Sequence, residues 1–129
     1  MNSERTQDHG IFWAAMRQRD LLVGFAIFVA ANVLLLGIVV LGQGTLGHDG
    51  SHDAKVAFAV IAVALNLLIW LWNDAGIKDV AASNKDLEDD DRQLAIAQEF
   101  LKAPWAFYRA IVLIVTVLVA GSLVYAVFW

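Results

Sequence analysis

The chain has 129 residues, a formal net charge of −4, and a composition that is 60% hydrophobic and 17% charged. Soluble domains run at roughly 45–50% apolar and 25% charged, and a soluble fold this small cannot hide so large an apolar excess from water. The acidic balance, with its carboxylates bunched in one stretch, argues against nucleic acid as a partner, and the absence of cysteine excludes disulfides, thiolate metal sites and iron–sulfur clusters.

Residues 1–20 read as a cytoplasmic, interfacial segment. Within it, IFWAAMRQR (Ile11 to Arg19) can place Phe12, Trp13 and Met16 on one helical face, with Arg17 and Arg19 toward lipid headgroups. That pattern predicts a short interfacial helix lying on the membrane. The first span is expected over 21–41, LLVGFAIFVAANVLLLGIVVL, which contains no charge. At 1.5 Å per residue this run reaches roughly 31 Å, about the hydrocarbon thickness of a bilayer. It exceeds the h-region of a signal peptide and no A-x-A-like site follows, so it is read as a retained span.

The connection over 42–55 contains GHDGSHD, in which His48-Asp49 and His52-Asp53 repeat a His-Asp pair. Imidazole and carboxylate ligands suit zinc or copper, which makes these four residues the weak metal candidates of the chain. The glycines predict a mobile loop, and two histidines without a further ligand make an incomplete site.

The second span is expected over 56–72, VAFAVIAVALNLLIWLW. A long connection over 73–104 follows. Its first part continues helically from the span, with Ile77, Val80 and Ala81 on one side. Its second part, LEDDDRQLAIAQEFLK (Leu87 to Lys102), predicts an amphipathic helix. Asp89 to Asp91 suit its start, Lys102 its end, and Leu94, Ile96, Ala97, Phe100 and Leu101 form an apolar stripe. The run Glu88 to Asp91 cannot gather on one ion, because helix neighbours sit about 100° apart. It reads as a charged cap or solvated face. Pro104 marks the break before the third span, expected over 105–129 with Arg109 as its single charge.

Basic residues set the orientation. Arg5, Arg17 and Arg19 precede the first span, and Lys78, Lys85, Arg92 and Lys102 lie between the second and third, whereas the first connection has only Lys55. The positive-inside rule therefore predicts the N-terminus and the long connection inside and the C-terminus outside. Trp13, Trp70, Trp72 and Trp105 fall at the expected inner lipid interface and Trp129 at the outer one, while Arg109 is placed to snorkel to the inner headgroups.

Within the apolar layer, Asn32, Asn66 and Thr116 lie at depths of roughly 10–17 Å and are expected to meet as a polar layer between helices. Small residues offer close-contact faces: Ala26, Ala30 and Gly37 on the first span, Ala59 and Ala62 on the second, and Thr116 with Ala120 on the third. No span contains His or a central Asp, Glu or Lys, which speaks against bis-His haem and a proton relay. No catalytic or cofactor-binding residue is assigned, and lipids are the expected bound molecules.

The fold expected is therefore an all-α integral membrane domain of three transmembrane helices, N-in and C-out, with an N-terminal interfacial helix and an amphipathic cytoplasmic helix. A bacterial cytoplasmic membrane is the expected location. The function expected is that of a non-catalytic accessory subunit packed against other integral membrane subunits, as in a respiratory or photosynthetic complex. The alternative is a homo-oligomeric channel or holin-like permeability protein, and a third reading is an outer-face metal-handling or assembly factor.

Overall fold

The computed structural model describes the backbone of residues 2–83, 93 and 95–129, and the side chains of residues 15–83, 93 and 97–129. The acidic run Glu88 to Asp91 lies outside the described residues, as do the side chains of Phe12, Trp13, Leu94 and Ile96. Every described element is a helix. In chain order these are α1 (Asn2–Leu41), α2 (Gln43–Leu46), α3 (His52–Ser83), α4 (Ala95–Lys102) and α5 (Trp105–Phe128).

Three of them are long and apolar enough to cross a membrane: Ala15–Leu41 within α1, His52–Ser83 and Trp105–Phe128. Their side chains remove little of their own surface from the surroundings, because lipid solvates what water would not. α1 runs through the proposed interfacial segment and into the first span without a break. α3 likewise continues past Trp72 to Ser83, eleven residues beyond the apolar run, and buries Ile77 and Val80 on that extension.

α3 is the spine of the bundle. It packs along both α1 and α5, which touch one another only sparsely. The reason is a single stripe on α3. Lys55, Phe58, Ala62, Asn66, Ile69, Asn73, Ile77 and Val80 are all buried, and they recur at intervals of three and four residues. That spacing keeps one face of a helix turned toward its antiparallel neighbours over seven turns.

The main apolar cluster sits at one end, with Ile69, Ile77 and Val80 buried singly further along α3. Leu35 and Val39 of α1, Leu46 of α2, Phe58 and Ala62 of α3, and Leu123 and Val127 of α5 form one cluster near the α1–α3 turn. This is the turn end of the bundle; the other, where α3 leads toward α4 and α5 begins, is the linker end. At the turn end α2 folds back tightly: Gly42 N–H donates to Ile38 O, and Gly47 N–H to Gln43 O. A side chain at Gly50 would strike the Thr45 carbonyl, so the reversal needs glycine there. Lys55 is 7% exposed and donates from Nζ to His48 O at 3.0 Å, which fastens the turn to the first helical turn of α3.

At the linker end α4 is held by contacts between rings. Phe100 lies edge-on to Trp105 at 4.9 Å, and Trp105 in turn to Tyr108 at 6.0 Å. Ala97 is buried, whereas Leu101 is exposed. Pro104 stands immediately before α5, and its carbonyl accepts from the N–H groups of Phe107 and Tyr108. Lacking an N–H of its own, it begins a helix at no hydrogen-bond cost.

Candidate functional site

The polar groups within the apolar layer fall into three levels between the helices. At the level nearest the turn end Asn32 of α1 faces Asn66 of α3. Asn32 Nδ2 donates to Asn66 Oδ1 at 3.0 Å, and Asn66 Nδ2 donates to Asn32 Oδ1 at 3.1 Å. Each amide also reaches back along its own helix, Asn32 to Phe28 O at 2.8 Å and Asn66 to Ala62 O at 2.9 Å. A carboxamide has two N–H donors, so both groups are donor-saturated. Ala62, fully buried one turn away, lets the two backbones come close enough for the exchange.

Thr116 of α5 is buried but does not join this pair. Its Oγ1 donates to Val112 O at 2.8 Å, one turn back on its own helix. A β-hydroxyl in a helix lies close to that carbonyl and takes it in preference to a distant partner.

Two turns along α3 toward the linker end lies Asn73, 1% exposed, facing Gly24 of α1. Gly24 is required here. A Cβ added to it would collide with Asn73 Oδ1 and lie 3.0 Å from Trp72 Cδ1 and 3.2 Å from Asn73 Cγ. Asn73 Oδ1 is buried and accepts no hydrogen bond from the described residues. Beside it a cleft of about 190 Å³ opens between α1 and α5, lined by Phe25, Phe28, Asn73, Ile111, Val112, Val115 and Thr116.

The third level is ionic. Asp74 of α3 has a side chain only 8% exposed and is held by two cations. Arg109 of α5 donates from Nε to Oδ1 at 2.5 Å and from Nη2 to Oδ2 at 3.3 Å. Lys78, one turn along α3, reaches Oδ2 at 2.7 Å. Arg109 thus turns to a carboxylate and joins α5 to α3. Further out, Gly76 leaves room for Leu21, and Arg17 bridges Asp20 and Asp79 at 3.8 and 3.5 Å. These last pairs are half-exposed and worth little by themselves.

The remaining residues singled out in the sequence are dispersed. His48, Asp49, His52 and Asp53 do not gather: among the described residues no three His, Cys, Asp or Glu groups are placed to hold a metal ion. The His52 ring instead rests edge-on against Phe128 at 6.3 Å, which brings the end of α5 to the start of α3. Trp129, 81% exposed, stacks on Tyr125 at 5.4 Å. Trp72 is exposed, while the indole nitrogens of Trp70 and Trp105 are buried without an acceptor among the described residues.

Asn73 and Asp74, buried on α3, and Gly24, packed against Asn73, are the interhelical positions that the apolar runs do not reveal. The three–four spacing of Ala62, Asn66, Ile69 and Asn73 is the signal that finds the first of them.

No protein family matches this sequence, and neither a curated protein nor a solved structure is similar to it.

Proposed function

We propose that the chain is a small, non-catalytic structural subunit of a larger membrane protein complex, acting by helix packing. The observation that carries this reading is the donor-saturated Asn32–Asn66 pair. Polar groups in a membrane layer serve either transport or association, and these are engaged with each other and with their own helices. The ionic level behaves alike, with Asp74 enclosed by Arg109 and Lys78. What faces outward from the three long helices is apolar, including Val29, Val33, Leu36 and Val40 of α1 and Ile114, Val117 and Leu118 of α5. Such a surface suits lipid and the apolar flanks of neighbouring membrane subunits.

In this reading the N-terminus and the connection between α3 and α5 face the cytoplasm of a bacterial cell, with Arg17, Arg19, Lys78 and Lys102 on that side. An energy-transducing complex is the host by analogy of size and topology alone. A homo-oligomeric channel is the second reading; it would need polar groups turned to a lumen, and the pairing of Asn32 with Asn66 weighs against it. Purification of a tagged chain in mild detergent separates the two. Stoichiometric recovery of other integral membrane proteins is expected. A chain that emerges alone, or as a ladder of its own oligomers with solute leakage on expression, overturns the subunit reading.

A further inference from the structure

We propose that the cleft between α1 and α5 is a binding site for a membrane-soluble ring compound carrying a carbonyl or hydroxyl oxygen, of the kind presented by a benzoquinone headgroup. The proposal stands independently of whether the chain acts within a larger complex.

Size comes first. The cleft holds about 190 Å³. Apolar cavities of about 150 Å³ accept a benzene ring, so one substituted six-membered ring fits and a bulky headgroup does not. Shape comes second. Phe25 and Phe28, three residues apart on α1, supply aromatic faces on one side. Ile111, Val112 and Val115 supply a branched aliphatic wall on the other. A planar ring between these walls meets aromatic carbon on one face and methyl groups on the other.

The polar requirement is the third and most specific point. Asn73 is in the wall of the cleft, is 1% exposed, and has a carboxamide that makes no hydrogen bond among the described residues. A buried carboxamide without partners is destabilising until a ligand reaches it. Water is a poor remedy, since a buried water needs two to four polar partners. Here only Asn73 and the Thr116 oxygen are polar, and the Thr116 proton already goes to Val112. A ring with one oxygen needs only what is present. Asn73 can offer N–H to a ring carbonyl, or, by a half-turn of its carboxamide, its oxygen, which lies against Gly24, to a ring hydroxyl. Access is lateral, because α1 and α5 touch sparsely and Phe25, Ile111 and Val115 are exposed to the surrounding lipid.

The test uses the full chain in phosphatidylcholine nanodiscs with ¹⁵N-labelled asparagine side chains, of which the chain has five. The probe is a decyl-tailed benzoquinone, and decylbenzene is its oxygen-free control. The expected result is a saturable shift of the Asn73 amide pair while the Asn32 and Asn66 pairs stay in place. Asn73→Leu is expected to weaken benzoquinone binding about tenfold, read from the tryptophan fluorescence, and to leave decylbenzene binding unchanged. Val112→Phe fills the cleft and is expected to abolish saturable binding, with the unmoved Asn32 and Asn66 signals reporting an intact fold. The proposal is overturned if all three amide pairs shift together in linear proportion to probe, which is partition into the bilayer. It is overturned equally if the Asn73 response survives Val112→Phe, or if decylbenzene binds as tightly as the quinone.

Discussion

Asn32 and Asn66 exchange two hydrogen bonds across the α1–α3 interface, each donating its amide to the other's oxygen. In a bilayer such bonds are worth about 0.6–2 kcal/mol, and the partners are interdependent because loss of one strands the other. A double-mutant cycle of Asn32→Leu and Asn66→Leu, read from unfolding in detergent, should give a coupling of about 1–2 kcal/mol. The double variant should be more stable than the sum of the single losses predicts. Additive losses would mean that the two amides act separately.

Two glycines of α1 should respond oppositely to alanine. Gly24 lies against the Asn73 carboxamide, so Gly24→Ala forces that group aside and should destabilise by about 1–3 kcal/mol. Gly37 has no atom within contact of an added Cβ, so Gly37→Ala should be neutral or stabilising by up to about 1 kcal/mol through helix propensity. Thermal melting in the same detergent compares the two. If Gly37→Ala leaves the isolated chain stable but reduces recovery of partner subunits, that side of α1 is a contact face.

The cluster of Asp74, Arg109 and Lys78 predicts unequal single losses. Asp74→Ala removes the acceptor for both cations and leaves Arg109 without a carboxylate in an apolar layer, so its melting temperature should fall by several degrees. Lys78→Ala should cost much less, since Lys78 is 55% exposed and Arg109 still holds the acid. Exchange of charges, Asp74→Arg with Arg109→Asp, should restore only part of the stability. The new arginine would stand one turn from Lys78 with like charge.

Because the chain has no cysteine, single introduced thiols report topology without interference. A membrane-impermeant maleimide applied to intact cells should label Ser51→Cys in the α1–α3 turn. It should reach Lys102→Cys at the end of α4 only after permeabilisation. The reverse pattern would place the N-terminus outside and refute the orientation drawn from the basic residues.

The three long helices are legible in the sequence because each apolar run is continuous and separated by polar residues. The meeting of Asn32 with Asn66 also follows from arithmetic, since antiparallel spans put residues of equal depth side by side. Boundaries are harder. Ending the second span at its last apolar residue, Trp72, leaves Asn73 and Asp74 in the connection, whereas both are buried on the continuing face of α3. Helix rotation is harder still. A snorkelling Arg109 and one bound to Asp74 differ only in the way α5 faces, and the acid stands thirty-five residues away. Thr116 is at the right depth for the asparagines, but a local carbonyl outcompetes them. The need for Gly24 depends on the register between α1 and α3, which no single helix encodes.

The apolar cluster pins the bundle at its turn end and the Asn32–Asn66 pair fastens α1 to α3 again, so the stretch of α1 beyond that pair has the mechanics of one arm of a pair of tongs. From Asn32 to Gly24 is eight residues, so α1 extends roughly 12 Å beyond that pair before it reaches the level of Asn73. A tilt of about 10° around that pivot shifts the far arm by roughly 2 Å, enough to decide whether a ring can pass between Phe25 and Ile111. Side chains at the pivot would hardly stir. The buried Asp74–Arg109 pair fastens α5 to the spine at this level, whereas α1 is held there by the half-exposed Arg17–Asp79 pair and by the Gly24–Asn73 and Gly76–Leu21 contacts, so α1 is the arm with more freedom. Whatever presses on that arm from outside, lipid or neighbouring helix, therefore sets the width of the cleft.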